Sequence, residues 1–164
     1  MPDAALAPSW RFMWRHPAHI IALGAGAGLA PAAPGTVGTL AAFPLYWLLA
    51  PLLSDEMFLL LLIFAFVLGV WVCDITGKAL GVADYGGIVW DEIVAFMLVL
   101  FFTPPGWYWS LLAFVLFRIF DIVKPPPIRY FDSNWHGGLG VMFDDLLAAG
   151  YAMLCLALLK SALI

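Results

Sequence analysis

Charge is what this sequence has least of. Of its 164 residues only 11% are Asp, Glu, Lys or Arg, against 65% hydrophobic; a soluble domain carries roughly 25% charged residues. A surface facing water needs more charge than that, so lipid must be the solvent for much of the chain. Basic residues are scarcer than acidic ones, the net charge is −4 and there is no basic tail, so nothing points to nucleic acid as a partner. Cysteine is limited to Cys73 and Cys155. Each sits in an apolar run and reads as a buried free thiol rather than half of a disulfide or a nucleophile. The N-terminus lacks the short apolar core, small-residue cleavage site and polar mature chain of a secretion signal. Low-complexity tracts and internal repeats are also missing.

Several catalytic signatures are absent as well. No arginine follows Cys73 at the spacing of a Cys-x5-Arg phosphate loop, and there is no DxD pair, serine elbow, HExxH pair or Cys/His cluster. Covalent catalysis is therefore poorly supported. Metal-activated water attacking a phosphoryl group suits the remaining residue types best.

What the chain does have is long apolar runs. A bilayer core of ~30 Å takes ~20 apolar residues in a helix. Met57–Cys73 is a clean span, Ile88–Phe102 is shorter, Tyr108–Val123 follows a Pro104-Pro105-Gly106 turn, and Leu146–Ile164 closes the chain. Ile20–Ala50 is apolar but broken in its first half by Pro31, Pro34, Gly35 and Gly38. Proline removes amide donors and glycine favours turns, so Leu23–Leu40 is expected to be a loop or re-entrant segment, with a true helix from about Leu40 to Ala50. The expected fold is an all-α integral membrane bundle of four or five spans, a single domain over 1–164 with 1–16 as a cytoplasmic segment.

With the N-terminus inside, Arg11, Arg15, Lys78, Arg118, Lys124 and Arg129 all fall on the inner side and only Lys160 does not, as the positive-inside rule requires. The same topology gathers every acidic residue except Asp55 and Glu56 on that face.

Three constellations stand there. Asp91 and Glu92 open the run IVAFMLVLFF, and Asp144 and Asp145 stand at the inner end of the last run. Acids can simply favour the positive end of a helix dipole. Two such pairs on one face, close to hydrocarbon, would repel strongly, and a divalent cation would relieve that. Hard oxygen ligands suit Mg²⁺, which commonly takes one or two protein carboxylates plus water and phosphate oxygens. The third constellation is Arg118, Asp121 and Lys124, spaced i, i+3, i+6 before the triple proline 125–127. It reads either as an internal salt bridge with snorkelling or as a phosphate clamp in which Asp121 orients a cation or binds metal.

Weaker signals surround these. The turn-like segment around Gly35 and Thr36 could offer amides and hydroxyls to a phosphate, as could His136, Gly137 and Gly138; His136 is either a proton donor or a solvated loop residue. Asp74, Lys78 and Asp84 flank a loop that either closes a site or faces water.

The stretches GAGAGLAPAAPGTVGTLAAFP (24–44), GVADYGGIVWDE (81–92), FRIFDIVKPPPIRYFD (117–132) and HGGLGVMFDDLLAAG (136–150), in this order, resemble the PgpA family of bacterial inner-membrane lipid phosphatases. The resemblance runs from about His16 to Tyr151. It implies Mg²⁺-dependent hydrolysis of phosphatidylglycerophosphate to phosphatidylglycerol and inorganic phosphate, in a multi-pass inner-membrane protein whose active site faces the cytoplasm. The family's motif residues correspond to Asp91, Glu92, Asp144, Asp145, Arg118, Asp121 and Lys124. Two positions depart from its pattern: Ala95 where a glycine is usual, and Thr39 where a serine is common. The competing reading is a small transporter or channel subunit with carboxylates along a path; against it, the acids lie at span ends and no inverted repeat is visible.

Overall fold

The computed structural model describes residues 8–163. Among them every regular element is helical. Two short helices, α1 (Trp10–Met13) and α2 (Pro17–Ala22), lead into a 3₁₀ turn over Gly24–Leu29. Five longer helices follow: α3 (Pro34–Leu49), α4 (Asp55–Leu80), α5 (Trp90–Phe102), α6 (Trp107–Val123) and, after the short α7 (Ile128–Asn134), α8 (Gly137–Leu163). Three segments are long and apolar enough to cross a membrane: 34–52, 55–80 and 137–163. Residues 1–7 of the segment expected at the inner surface lie outside the described residues, as does Ile164.

α5 is the axis of the bundle. Asp91, an unbroken stretch from Ile93 to Met97, Val99 and Leu100 are all buried, with α3, α4, α6 and α8 packed around them. The outer faces are apolar too. Leu60, Ile63, Phe64, Val67 and Trp71 form an exposed stripe on α4, and Leu111, Val115, Ile119 and Ile122 form another on α6. These spacings follow one helix face. Stripes of this kind suit lipid and would be unstable against water.

Helix ends follow local chemistry. The Ser54 hydroxyl accepts from the Met57 amide at 3.3 Å and opens α4, and Gly81, left-handed at φ 72°, closes it. The Val89 amide donates to the Ala22 carbonyl at 2.9 Å, tying the 81–89 loop to the end of α2.

Three expected boundaries shift. α3 begins at Pro34, not near Leu40. Proline is tolerated at a first helical position, where its missing N–H would have no partner anyway. Gly35, Gly38, Thr39 and Ala42 then form one buried small-residue face; a Cβ on Gly38 would meet the Val89 side chain at 2.6 Å. The glycines thus let α3 approach the start of α5 and are not turn residues. The irregular part is confined to about 24–33, where Gly24, Ala25, Gly26 and Ala33 have positive φ. α4 runs past its expected end at Cys73 to Leu80, so Asp74 and Lys78 lie on the helix that leads into the 81–89 loop. α8 begins at Gly137, so the 137–140 glycine segment is its first turn and Asp144 and Asp145 lie about two turns inside the helix.

Candidate active site

One end of the bundle brings together the start of α3, the start of α5, the end of α6, the second turn of α8 and the 81–89 loop. They enclose a cleft of about 330 Å³ lined by Asp84, Asp91, Glu92, Asp121, Asp144 and Asp145 together with Arg118, Lys124 and Gly35. Three sequence constellations from distant parts of the chain therefore share one wall.

Two cation-centred networks organise it. Arg118 lies among Glu92, Asp121 and Thr39: its Nη1 donates to Glu92 Oε1 at 3.2 Å, pairs with the Asp121 carboxylate, and reaches Thr39 Oγ1 at 3.5 Å. The Thr39 hydroxyl donates to the Gly35 carbonyl at 2.8 Å, anchoring it to α3. Gly35 is required by this closeness, because a Cβ there would fall 2.1 Å from Glu92 Oε1 and 3.2 Å from Arg118 Nη2.

The second network is centred on Lys124. Its Nζ bonds Asp132 at 2.5 Å and Asp144 at 2.6 Å. Burial alone would lower the Lys124 pKa, but these two carboxylates outweigh it and hold the ammonium above its ordinary value, so it stays charged across the physiological range. Lys124 adopts a left-handed backbone (φ 47°, ψ 64°) as it ends α6. A non-glycine residue there costs on the order of 1 kcal/mol, and strain of this kind is held where surrounding contacts fix it.

The cleft carries more acid than base. It contains six carboxyl groups and two cations. Asp91 Oδ1, Glu92 Oε2 and Asp145 Oδ2 are buried and make no hydrogen bond, as is Arg118 Nε. Unmatched buried acceptors are costly, and hard oxygens with spare lone pairs are what Mg²⁺ accepts. A different set of carboxylate oxygens, from Asp84, Asp132 and Asp144, comes within 4.8 Å of one another, but Lys124 already bonds two of those three. The donor set with unused acceptors is Asp91, Glu92 and Asp145.

Other candidates lie elsewhere. Asp74 and Lys78 pair with each other at 2.6 Å on α4 and face a separate cleft with Gly137. His136 and Gly137 line a small pocket of about 50 Å³ together with Asp132 and with Asp84, which also lines the cleft. Gly138 packs α8 on α4, where a Cβ would fall 1.7 Å from the Val70 carbonyl oxygen. Thr36 is half-buried on the first turn of α3 and is not on the cleft wall. Asp132, the Lys124 partner, went unassigned from sequence. Its only signal was an acid eight residues past Lys124, across the proline reversal.

The PgpA family profile, described as phosphatidylglycerophosphatase A, matches residues 20–160. The chain is 44% identical to phosphatidylglycerophosphatase A of Escherichia coli (strain K12) over 139 residues, covering 84% of this chain and 80% of that protein. It is 48% identical to the Haemophilus influenzae (strain Rd) protein of the same name, covering 85% and 86% respectively. A Bacteroides thetaiotaomicron relative, whose name proposes a phosphatidylinositol-3-phosphatase, is 39% identical over 86% of this chain and 92% of its own length. No solved structure matches. With most of its length covered, and with the motif residues drawn into one cleft, the chain belongs to the PgpA family, phosphatidylglycerophosphatase A.

Proposed function

We propose that this chain removes the terminal phosphate of phosphatidylglycerophosphate, releasing phosphatidylglycerol and inorganic phosphate. The observation that carries the reading is a cleft at one end of an apolar bundle, where unpartnered buried carboxylates face an arginine and a lysine. The transport alternative has less support, because these acids gather at one end of the bundle and the relatives are phosphatases by name.

A phosphate dianion entering a cleft with more carboxylates than cations is repelled until a cation is bound. Asp91, Glu92 and Asp145 would hold Mg²⁺, with Asp144 and Asp121 beside them and already tied to Lys124 and Arg118. When bound, Mg²⁺ supplies charge neutralisation and a more acidic water. Arg118 and Lys124 meet the charge spread over the non-bridging phosphoryl oxygens as the water oxygen bonds to phosphorus and the bond to the glycerol oxygen breaks. One carboxylate of the Asp91 and Asp145 pair takes the water proton and returns it to the departing oxygen. The starts of α3 and α5 add the positive ends of two helix dipoles.

The reading extends to topology. Five helices, α3 to α6 and α8, alternate in direction, so the cleft end holds the start of α3, α5 and α8 and the end of α4 and α6. If all five cross, as ~20 Å and ~26 Å lengths for α5 and α6 permit in a locally thinned or protein-covered region, the cleft faces the cytoplasm by the positive-inside rule. The membrane is then the bacterial inner membrane and the substrate sits in its inner leaflet. Phosphate release from phosphatidylglycerophosphate, phosphatidic acid and phosphatidylinositol 3-phosphate, compared in mixed micelles, tests the substrate. At least tenfold preference for the first is expected; release only from another lipid, or from none, overturns the reading.

A further inference from the structure

The polar cleft has an apolar neighbour. Between α4, α5 and α8 lies a second cavity of about 330 Å³, walled by Leu62, Phe66, Val94, Ala95, Leu98 and Met142 with a few further apolar side chains. Its single polar lining residue is Asp91, which also lines the polar cleft. On α5 the positions 91, 94, 95 and 98 recur on one face, so this face runs roughly 10 Å from Asp91 into the bundle. Ile63 at the rim is 61% exposed, so the cavity opens sideways onto the lipid-facing surface.

Small residues explain why the space exists. At the cleft end α8 lies tight against α4: a Cβ on Gly138 would strike the Val70 carbonyl, and one on Gly69 would meet Met142 Sδ at 2.5 Å. The Trp90 indole donates to the Ala65 carbonyl at 3.0 Å, closing the same layer. Beyond it the residues lining the cavity are bulky, Leu62 on α4 and Leu146 on α8, over Val94, Ala95 and Leu98 of α5. An interior packed to ordinary density does not leave such a void unfilled, and apart from Asp91 its lining has nothing for water to bond.

We propose that this cavity is an acyl-chain slot, holding one fatty-acyl chain of the phospholipid while its phosphate occupies the polar cleft. The proposal rests on the phospholipid-phosphatase reading and names the part of the substrate that reading leaves unplaced. Lipid tails are as apolar as leucine, so the slot gains little from hydrophobic transfer. Its effect is positional: a chain threaded past Leu62 and Val94 toward Asp91 fixes the headgroup's approach to the carboxylates, as remote binding fixes a reacting group.

Ala95→Phe and Leu62→Trp narrow the slot from opposite walls. The readout is the ratio of kcat/KM for dioleoyl phosphatidylglycerophosphate to that for the water-soluble deacylated headgroup, glycerophosphoglycerophosphate. Both variants are expected to lower this ratio at least tenfold, while Leu111→Phe on the outer face of α6 leaves it in place. An unchanged ratio in both folded slot variants overturns the proposal. A phospholipid carrying a diazirine midway along one acyl chain, photolysed with the wild-type protein in nanodiscs, reads the slot without turnover. Crosslinks to Val94 or Leu98 on α5 are expected, and labelling confined to the outward stripe of Leu60, Phe64 and Val67 overturns it. Loss of the phosphatase reading would show as no phosphate release from any lipid, an outcome separate from where the photolabel lands.

Discussion

At position 35 the site has no room for a methyl group. A Cβ on Gly35 would lie 2.1 Å from the Glu92 carboxylate that Arg118 holds, so Gly35→Ala must displace the glutamate or open α3 from α5. A 1 Å misplacement of a reacting group can cost about 100-fold, and a loss of that order in kcat is expected. Arg118 is as narrowly placed: it reaches Glu92, Asp121 and Thr39 with one nitrogen, while its Nε is buried without a partner. Lysine keeps the charge but not the fork. Arg118→Lys should therefore lower kcat/KM roughly 100-fold, and wild-type kinetics in that variant would remove Arg118 from the site. Lys124, by contrast, carries both a charge and an uncommon backbone conformation, and only the charge was legible from sequence.

At the scale of elements, the acid pairs and the arginine and lysine at the end of α6 could be read because charges at the edge of apolar runs demand an explanation. Their partners could not. Asp132 meets Lys124 only because the chain reverses through Pro125–Pro127 into α7, a tertiary fact with no periodic signature. The starts of α3 and α8 were hidden for another reason. Local chemistry marks Pro34, Gly35 and Gly137–Gly140 as turn formers, whereas helix-to-helix closeness is what selects Gly35, Gly38 and Gly138. Tertiary packing overrides helix propensity there. Gly138→Ala tests this directly. Forcing a methyl against the Val70 carbonyl should destabilise the protein by about 1–3 kcal/mol, seen as a lower melting temperature in detergent. An unchanged melting temperature would mean that α4 and α8 are not packed through that glycine.

At the scale of the molecule, apolar and charged side chains are sorted to different places. The exposed apolar stripes of α4 and α6 suit lipid, while six carboxylates, one arginine and one lysine are folded inward around a cleft at one end. That inversion was legible in composition, since 11% charge cannot clothe a soluble protein. The depth of the carboxylates was not, because α8 begins well before its apolar run and carries Asp144 and Asp145 into the bundle. Burying more acids than bases is costly unless carboxyl groups are protonated or meet a counter-charge, and the proposed Mg²⁺ would supply that charge. Phosphate release from phosphatidylglycerophosphate micelles should rise with added Mg²⁺ and vanish with excess chelator.

The most direct single test measures that release for the wild-type protein and for Asp91→Asn, each with Mg²⁺ and then with chelator, in protein shown to be folded in detergent. Metal-dependent release is expected of the wild type, and a drop of about 100-fold or more of Asp91→Asn, with Asp145→Asn behaving alike. Metal-independent release, or near-normal turnover in folded Asp91→Asn, would contradict it.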